Sequence, residues 1–167
     1  MNLEAFWHAL EASPLGTFVA ESAWAFPTIE SAHVIAIVTV VGSIAVMDLR
    51  LLGLASRDWA VTAMSRDTLR WTWGAFAAAV LTGGLLFVSN ASGYAGNPWF
   101  QRKMVLVFLA GLNMAVFHLF TWRSVADWDS NRPVPTAGKI AGGLSLLFWV
   151  LVVFSGRAVG FTLDAPV

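Results

Sequence analysis

Residues 29–52 read IESAHVIAIVTVVGSIAVMDLRLL. As a helix rising about 1.5 Å per residue, this stretch is roughly 36 Å long, enough to cross a hydrocarbon core of about 30 Å. Its charges sit near the ends: Glu30 at one, Asp48 and Arg50 at the other. Between them the only ionisable side chain is His33. In lipid every backbone N–H and C=O must pair within its own segment, so the stretch reads as a transmembrane helix.

Three further apolar stretches follow, at about 71–89, 100–122 and 140–159. The whole chain agrees with them. It is 57% hydrophobic and 12% charged, whereas a water-soluble domain carries about 25% charged residues. A soluble protein with very apolar core helices would lack the charges to cover its surface. The expected fold is therefore all-α, a four-transmembrane-helix bundle with short loops and antiparallel neighbours. Residues 1–26 are expected to form an N-terminal interfacial segment and residues 27–167 a single four-span domain. Within the first, residues 3–12 read as an amphipathic helix, with Leu3, Phe6, Trp7 and Leu10 on one face and Glu4, His8 and Glu11 on another. Residues 15–26 re-enter the membrane or lie flat on it, and Pro27 opens the first span.

Arginine and lysine set the orientation. Arg50, Arg57, Arg66 and Arg70 follow span one; Arg123, Arg132 and Lys139 follow span three. The N-terminal tail has none and the C-terminal end only Arg157. Both termini are expected on the periplasmic side of a bacterial inner membrane. Glu4 and Glu11 occupy the place of a basic n-region, so no cleavable signal peptide is expected. The link between spans one and two repeats Ser-Arg-Asp at 56–58 and 65–67, which reads as a short surface helix. Trp71, Trp73, Trp99, Trp122, Trp128 and Trp149 fall near span ends, where aromatic belts lie.

Several functions are excluded early. The net charge is zero, and no basic stripe suggests nucleic acid. With no cysteine there are no disulfides, thiolate metal sites, iron–sulfur clusters or covalently attached c-type haems. Gly83-Gly84 is not a phosphate loop, because no Lys-Ser/Thr follows it.

The residues that carry chemistry are His33 and His118. Ionisable groups inside a membrane are costly and mark functional sites. His33 lies toward the outer end of span one and His118 toward the inner end of span three, so roughly 20 Å of depth separates them. One metal ion or one haem cannot take both. Met47 follows His33 by fourteen positions and Met104 precedes His118 by fourteen, about four turns in each case. Spans one and three are parallel, so two layers result: His33 with Met104 outside, Met47 with His118 inside. Each would suit a haem b or a copper ion, since thioether and imidazole are ligands of both. Lys103 and Arg157 are placed to meet haem propionates on the outside. Methionine as filler and glycine as a packing residue are the competing structural readings. Glu30 and His33, at i and i+3, share a face in the E-x-x-H spacing of metal-binding bundles. Spans two to four supply no further carboxylate, so Glu30 is expected to orient His33 or to pair with Lys103 or Arg157. His118 has Asn113 or Asp48 as possible structural partners, and Asp48 with Arg50 reads as an ion-pair network.

Five segments carry a family resemblance: Phe26-Pro27-Thr28-Ile29-Glu30-Ser31-Ala32-His33, Asp48-Leu49-Arg50-Leu51-Leu52-Gly53, Asn97-Pro98-Trp99-Phe100, Leu112-Asn113 through Phe117-His118, and Ser155-Gly156-Arg157 through Gly160-Phe161. Over nearly its whole length the chain resembles a bacterial family of small four-helix integral membrane proteins, a domain of unknown function. The resemblance implies the fold and the membrane, and no chemistry. In architecture alone the chain is similar to di-haem b-type cytochromes and copper-resistance membrane proteins. Those cytochromes pair histidines at matching depth, and this chain does not. The functional expectation is a membrane redox protein binding haem b or copper. The alternatives are a copper or small-solute permease and a non-catalytic subunit of a membrane complex. Small residues along the helices favour a homo-oligomer or a larger assembly within the lipid bilayer.

Overall fold

The computed structural model describes residues 3–130 and 132–163. Its helices are α1 (Leu3–Glu11), α2 (Pro14–Glu21), α3 (Ala25–Leu52), α4 (Val61–Ser89), α5 (Ala91–Gly96), α6 (Pro98–Val116) and α7 (Thr136–Thr162). There is no strand among the described residues. Four helical stretches of 27 to 30 residues are long and apolar enough to cross a membrane: α3, α4, α7, and α6 with its continuation to Asp127. Large apolar side chains cover the outside of these rods. Ile35, Leu81 and Phe108 are each at least 68% exposed. Water would not tolerate so continuous an apolar surface, and lipid does.

The helix ends follow local chemistry. The side chain of Asn97 accepts hydrogen bonds from the N–H groups of Trp99 (2.9 Å) and Phe100 (3.2 Å), and Pro98 fills the first position of α6. Ser13 caps α2 in the same way, with Pro14 next. At the end of α3, Gly53 takes a left-handed φ of 72°. The Leu54 N–H then returns to the Leu49 carbonyl at 2.9 Å, closing the helix with a glycine-dependent cap.

Three expectations need correction. The link at 61–70 is no separate surface helix; it is the opening of α4, which begins ten residues before Trp71. Nothing in Val61–Arg70 breaks a helix, and Asp129 supplies its cap: its carboxylate accepts from the Thr62 N–H and hydroxyl, both at 2.8 Å. Residues 15–26 are not one segment. They form α2 and the start of α3, and Val19 of α2 is buried. Trp128 and Trp149 are not belt residues. Both are buried, Trp128 among Leu51, Val61, Phe117 and Val134, and Trp149 among Val40, Ala110 and Val152.

Packing runs in the order α4, α3, α7, α6. The α3–α7 contact is close at Gly142, where an added Cβ would lie 3.1 Å from both the Asp48 carbonyl oxygen and the Leu51 Cβ. α4 and α6 barely meet, so one edge of the four-helix ring stands open. The link 53–60 and residues 128–130 and 132–135 gather at one end, here termed the arginine-rich end. α1, α2 and α5 cover the other.

Glu11 fastens α1 to that other end. Its carboxylate accepts from the Ser92 N–H at 2.7 Å and the Ser92 hydroxyl at 2.6 Å. These bonds from Ser92 hold the carboxyl below the usual glutamate range, against a smaller opposing effect of burial. A depressed folded-state value means the contact stabilises docking above the unfolded value, about 4.3, and loses that contribution as pH falls through the folded value. Protection of residues 3–11 against hydrogen exchange, taken relative to the unfolded-chain rate at the same pH, is therefore expected to fall below about pH 4. In Glu11→Gln that protection should be low already at pH 7 and unchanged across this range. An acid response unchanged in the variant would refute the assignment.

Candidate functional site

A cavity of about 300 Å³ lies among α3, α4, α6 and α7, in the half of the bundle nearer the arginine-rich end. Its walls are apolar, with Trp149 and Phe76 among them. Four of the groups it gathers can act as ligands or charges: Met47 and Asp48 from α3, and Met114 and His118 from α6 and its continuation. Serine and threonine hydroxyls add a polar seam along α3 and α4, where Ser43 and Thr72 hydrogen-bond at 2.8 Å.

His118 owes its position to a local widening of the helix. Residues Phe117–Thr121 form a π turn, and Trp122–Asp127 then tighten to 3-10 geometry. π turns are rare and recur at functional sites. The ring Nδ1 lies 2.9 Å from the Met114 carbonyl oxygen. A carbonyl only accepts, so Nδ1 carries the proton, and in the neutral imidazole Nε2 keeps its lone pair. This is how proteins prepare histidine for a metal. Trp122 lies against the ring at 5.5 Å and 31°, and Phe117 meets it edge-on at 5.4 Å. Met114 precedes His118 by one turn and so shares its face.

Asp48 is the electrostatic anomaly. It is 5% exposed, and its Oδ2 is buried without a hydrogen-bond partner. Ser145 of α7 is its polar neighbour. The expected Asp48–Arg50 network does not form. Arg50 turns away, its Nε donating to the Trp59 carbonyl at 2.9 Å and its Nη2 to the Asp129 carbonyl at 3.3 Å. Asn113 is equally unavailable to His118, since its amide donates to the Ala141 carbonyl at 2.9 Å and ties α6 to α7.

Of the two sequence layers, the structure brings Met47 and His118 into one cavity. His33 is placed differently. Its Nδ1 lies 2.9 Å from the Thr82 hydroxyl oxygen. That hydroxyl gives its hydrogen to the Ala78 carbonyl at 2.7 Å, so the ring donates to it. Gly83 leaves room for the imidazole: a Cβ there would sit 3.0 Å from His33 Cε1. His33 is thus a strut between α3 and α4, oriented by Thr82 rather than by Glu30. Glu30 is exposed, and the one ion pair among the described residues is His8–Glu11, so Glu30 pairs with neither Lys103 nor Arg157. Met104 is half-exposed on α6. Lys103 and Arg157 rest on aromatic faces, Phe100 at 5.3 Å and Phe161 at 4.3 Å.

Sequence reasoning passed over Met114, although its i, i+4 spacing to His118 is a readable signal. It also missed the orphaned carboxylate of Asp48, which no pattern could show, because the obvious partner two residues away points elsewhere. Comparison with protein-family models, curated proteins and solved structures finds no match.

Proposed function

We propose that this membrane protein binds a soft monovalent metal ion, copper(I), in the cavity among α3, α4, α6 and α7. One observation carries the reading: a single cavity is lined by an imidazole with its Nδ1 committed, two thioethers and a buried carboxylate whose Oδ2 has no partner. Thioether and imidazole are preferred ligands of copper(I). His118 supplies the imidazole, Met114 and Met47 the sulfurs, and Asp48 balances the positive charge in a region of low dielectric. The volume favours an ion over a tetrapyrrole, because about 300 Å³ is the lower limit for small-molecule pockets generally. Copper would add one-electron chemistry at a site whose walls are largely apolar.

Titration with copper(I) under reducing conditions against a chromophoric chelator tests this. The parent protein is expected to hold about one ion per chain, and His118→Ala to bind at least tenfold more weakly, since one ligand is lost. His33→Ala should bind as the parent does. Equal affinity in the parent and His118→Ala would refute the site. A Soret band in the purified protein, lost in His118→Ala, would put haem b in copper's place. Copper accumulation by cells with and without the protein separates passage of the ion from its use as a fixed redox centre.

A further inference from the structure

A second cleft lies outside the cavity, on the surface of the arginine-rich end, with a volume of about 410 Å³. It forms where the end of α3, the link 53–60 and the start of α7 converge. Four cations line it, Arg50, Arg57, Arg132 and Lys139, against a single carboxylate, Asp58. None of the four forms an ion pair among the described residues. The three arginines bond to carbonyls instead: Arg57 donates to Gly53, Arg132 to Asp127, and Arg50 to Trp59 and Asp129. These bonds fix the guanidinium groups in place without neutralising them.

The sequence alone explains arginine here as an orientation signal, and such residues normally spread along loops and reach into water. Here they converge. Gly53 lets the chain turn back at the end of α3, and Pro133 and Val134 form the opposite wall. Leu52, the last residue of α3, also lines the cleft, and α3 is long and apolar enough to cross a membrane, so the cleft lies at the end of a candidate span, where headgroups are expected. Basic pockets between helix ends at that depth suit anionic headgroups, and guanidinium groups match phosphate oxygens in geometry.

We propose that this cleft binds a phosphate group, and specifically the phosphodiester headgroup of an anionic membrane lipid whose acyl chains lie along α3 and α7. The site is independent of the copper cavity. Arg57, Arg132 and Lys139 supply the net positive charge, while Arg50 sets the floor.

The test uses the full chain in a neutral detergent, with thermal unfolding and lipid binding followed on addition of phosphatidylglycerol, phosphatidylcholine or inorganic phosphate. Phosphatidylglycerol is expected to bind and raise the unfolding midpoint, and phosphatidylcholine to do neither. Removing one cation should weaken binding about fivefold, and the triple variant Arg57→Gln/Arg132→Gln/Lys139→Gln about a hundredfold. These side chains are at the surface, so the variant should fold; an unfolding midpoint without lipid close to the parent's checks this. Arg102→Gln, a cation at the opposite end, controls for unspecific charge and should leave lipid binding intact. Stabilisation by inorganic phosphate as large as that by phosphatidylglycerol would make the occupant free phosphate. Equal binding of phosphatidylglycerol by the parent and the triple variant would overturn the proposal. So would equal binding of the two lipids by the parent.

Discussion

Asp48→Asn should unfold at a higher temperature than the parent protein while losing most of its affinity for copper(I). The two effects share one cause. Asp48 is 5% exposed and its Oδ2 has no partner, and no ion pair reaches it among the described residues. A buried polar atom left unsatisfied costs about 1–3 kcal/mol, more when charged. Asparagine has nearly the same shape, removes the charge and can still meet Ser145. A gain of about 1–2 kcal/mol is expected, or roughly 2–8 °C in the unfolding midpoint of a chain this size. The loss of affinity follows from Coulomb's law. At an effective dielectric of about 20, a carboxylate lining the same cavity is worth on the order of 1–4 kcal/mol to a monovalent cation, roughly tenfold or more in binding. Strain kept at functional sites at the expense of stability is a familiar trade. Thermal unfolding and copper titration on the same preparations decide the matter. If Asp48→Asn melts lower and binds copper unchanged, the carboxylate has a structural partner and no ligand-facing role.

The four rods were legible because their cause is composition. Segments such as 29–52 have no polar alternative to burial in lipid, and helix is the one local structure that satisfies their backbone there. The ends were less legible. Val61–Arg70 is polar and reads as a link, yet it is helical because Asp129, sixty-seven positions from Thr62, caps it. No window of sequence contains that bond. The burial of Trp149 failed for a similar reason: tryptophan near a span end belongs to the interface on average, and only the packing of α7 against α3 and α6 turns this one inward.

Placing chemistry by depth alone was half sufficient. The helical rise puts Met47 and His118 at one level, and both side chains line the same cavity. The same arithmetic puts His33 near Met104, but depth says nothing about azimuth. His33 faces α4, where Thr82 and Gly83 receive it. Azimuth depends on which helices are neighbours, and that order, with α4 and α6 apart, is a property of the packed bundle. The cleft at the arginine-rich end was unreadable for the same reason. Its cations are spread over some ninety positions and converge only once α3 ends at Gly53 and α7 begins beside it.

Arg50→Met is expected to lower stability by about 3 kcal/mol, or roughly 6–12 °C, because two charge-assisted hydrogen bonds are lost at about 1.5–3 kcal/mol each and relief of arginine burial offsets part of that. Arg50 is 3% exposed and holds two separate segments to the end of α3 through the carbonyls of Trp59 and Asp129. Asp129 is the hinge of this arrangement. Its own carbonyl also accepts from the Val61 N–H at 3.2 Å, and its carboxylate caps α4. The bonds from Thr62 hold that carboxyl below the usual aspartate range, so the cap contributes above the unfolded value and is lost as acid titrates the folded one. Methionine keeps much of the aliphatic stem of Arg50 against Leu51 and its neighbours, which separates hydrogen bonding from packing. Arg50→Lys keeps the charge but reaches one carbonyl at best, so an intermediate loss is expected. Hydrogen exchange should show the damage first at residues 53–60 and at the opening turn of α4, before the spans themselves loosen. A methionine variant as stable as the parent would mean that the two segments are held by the packing of Trp128 and Val134 alone. The convergence of cations at this end would then be a consequence of that packing, with Arg50 no part of its cause.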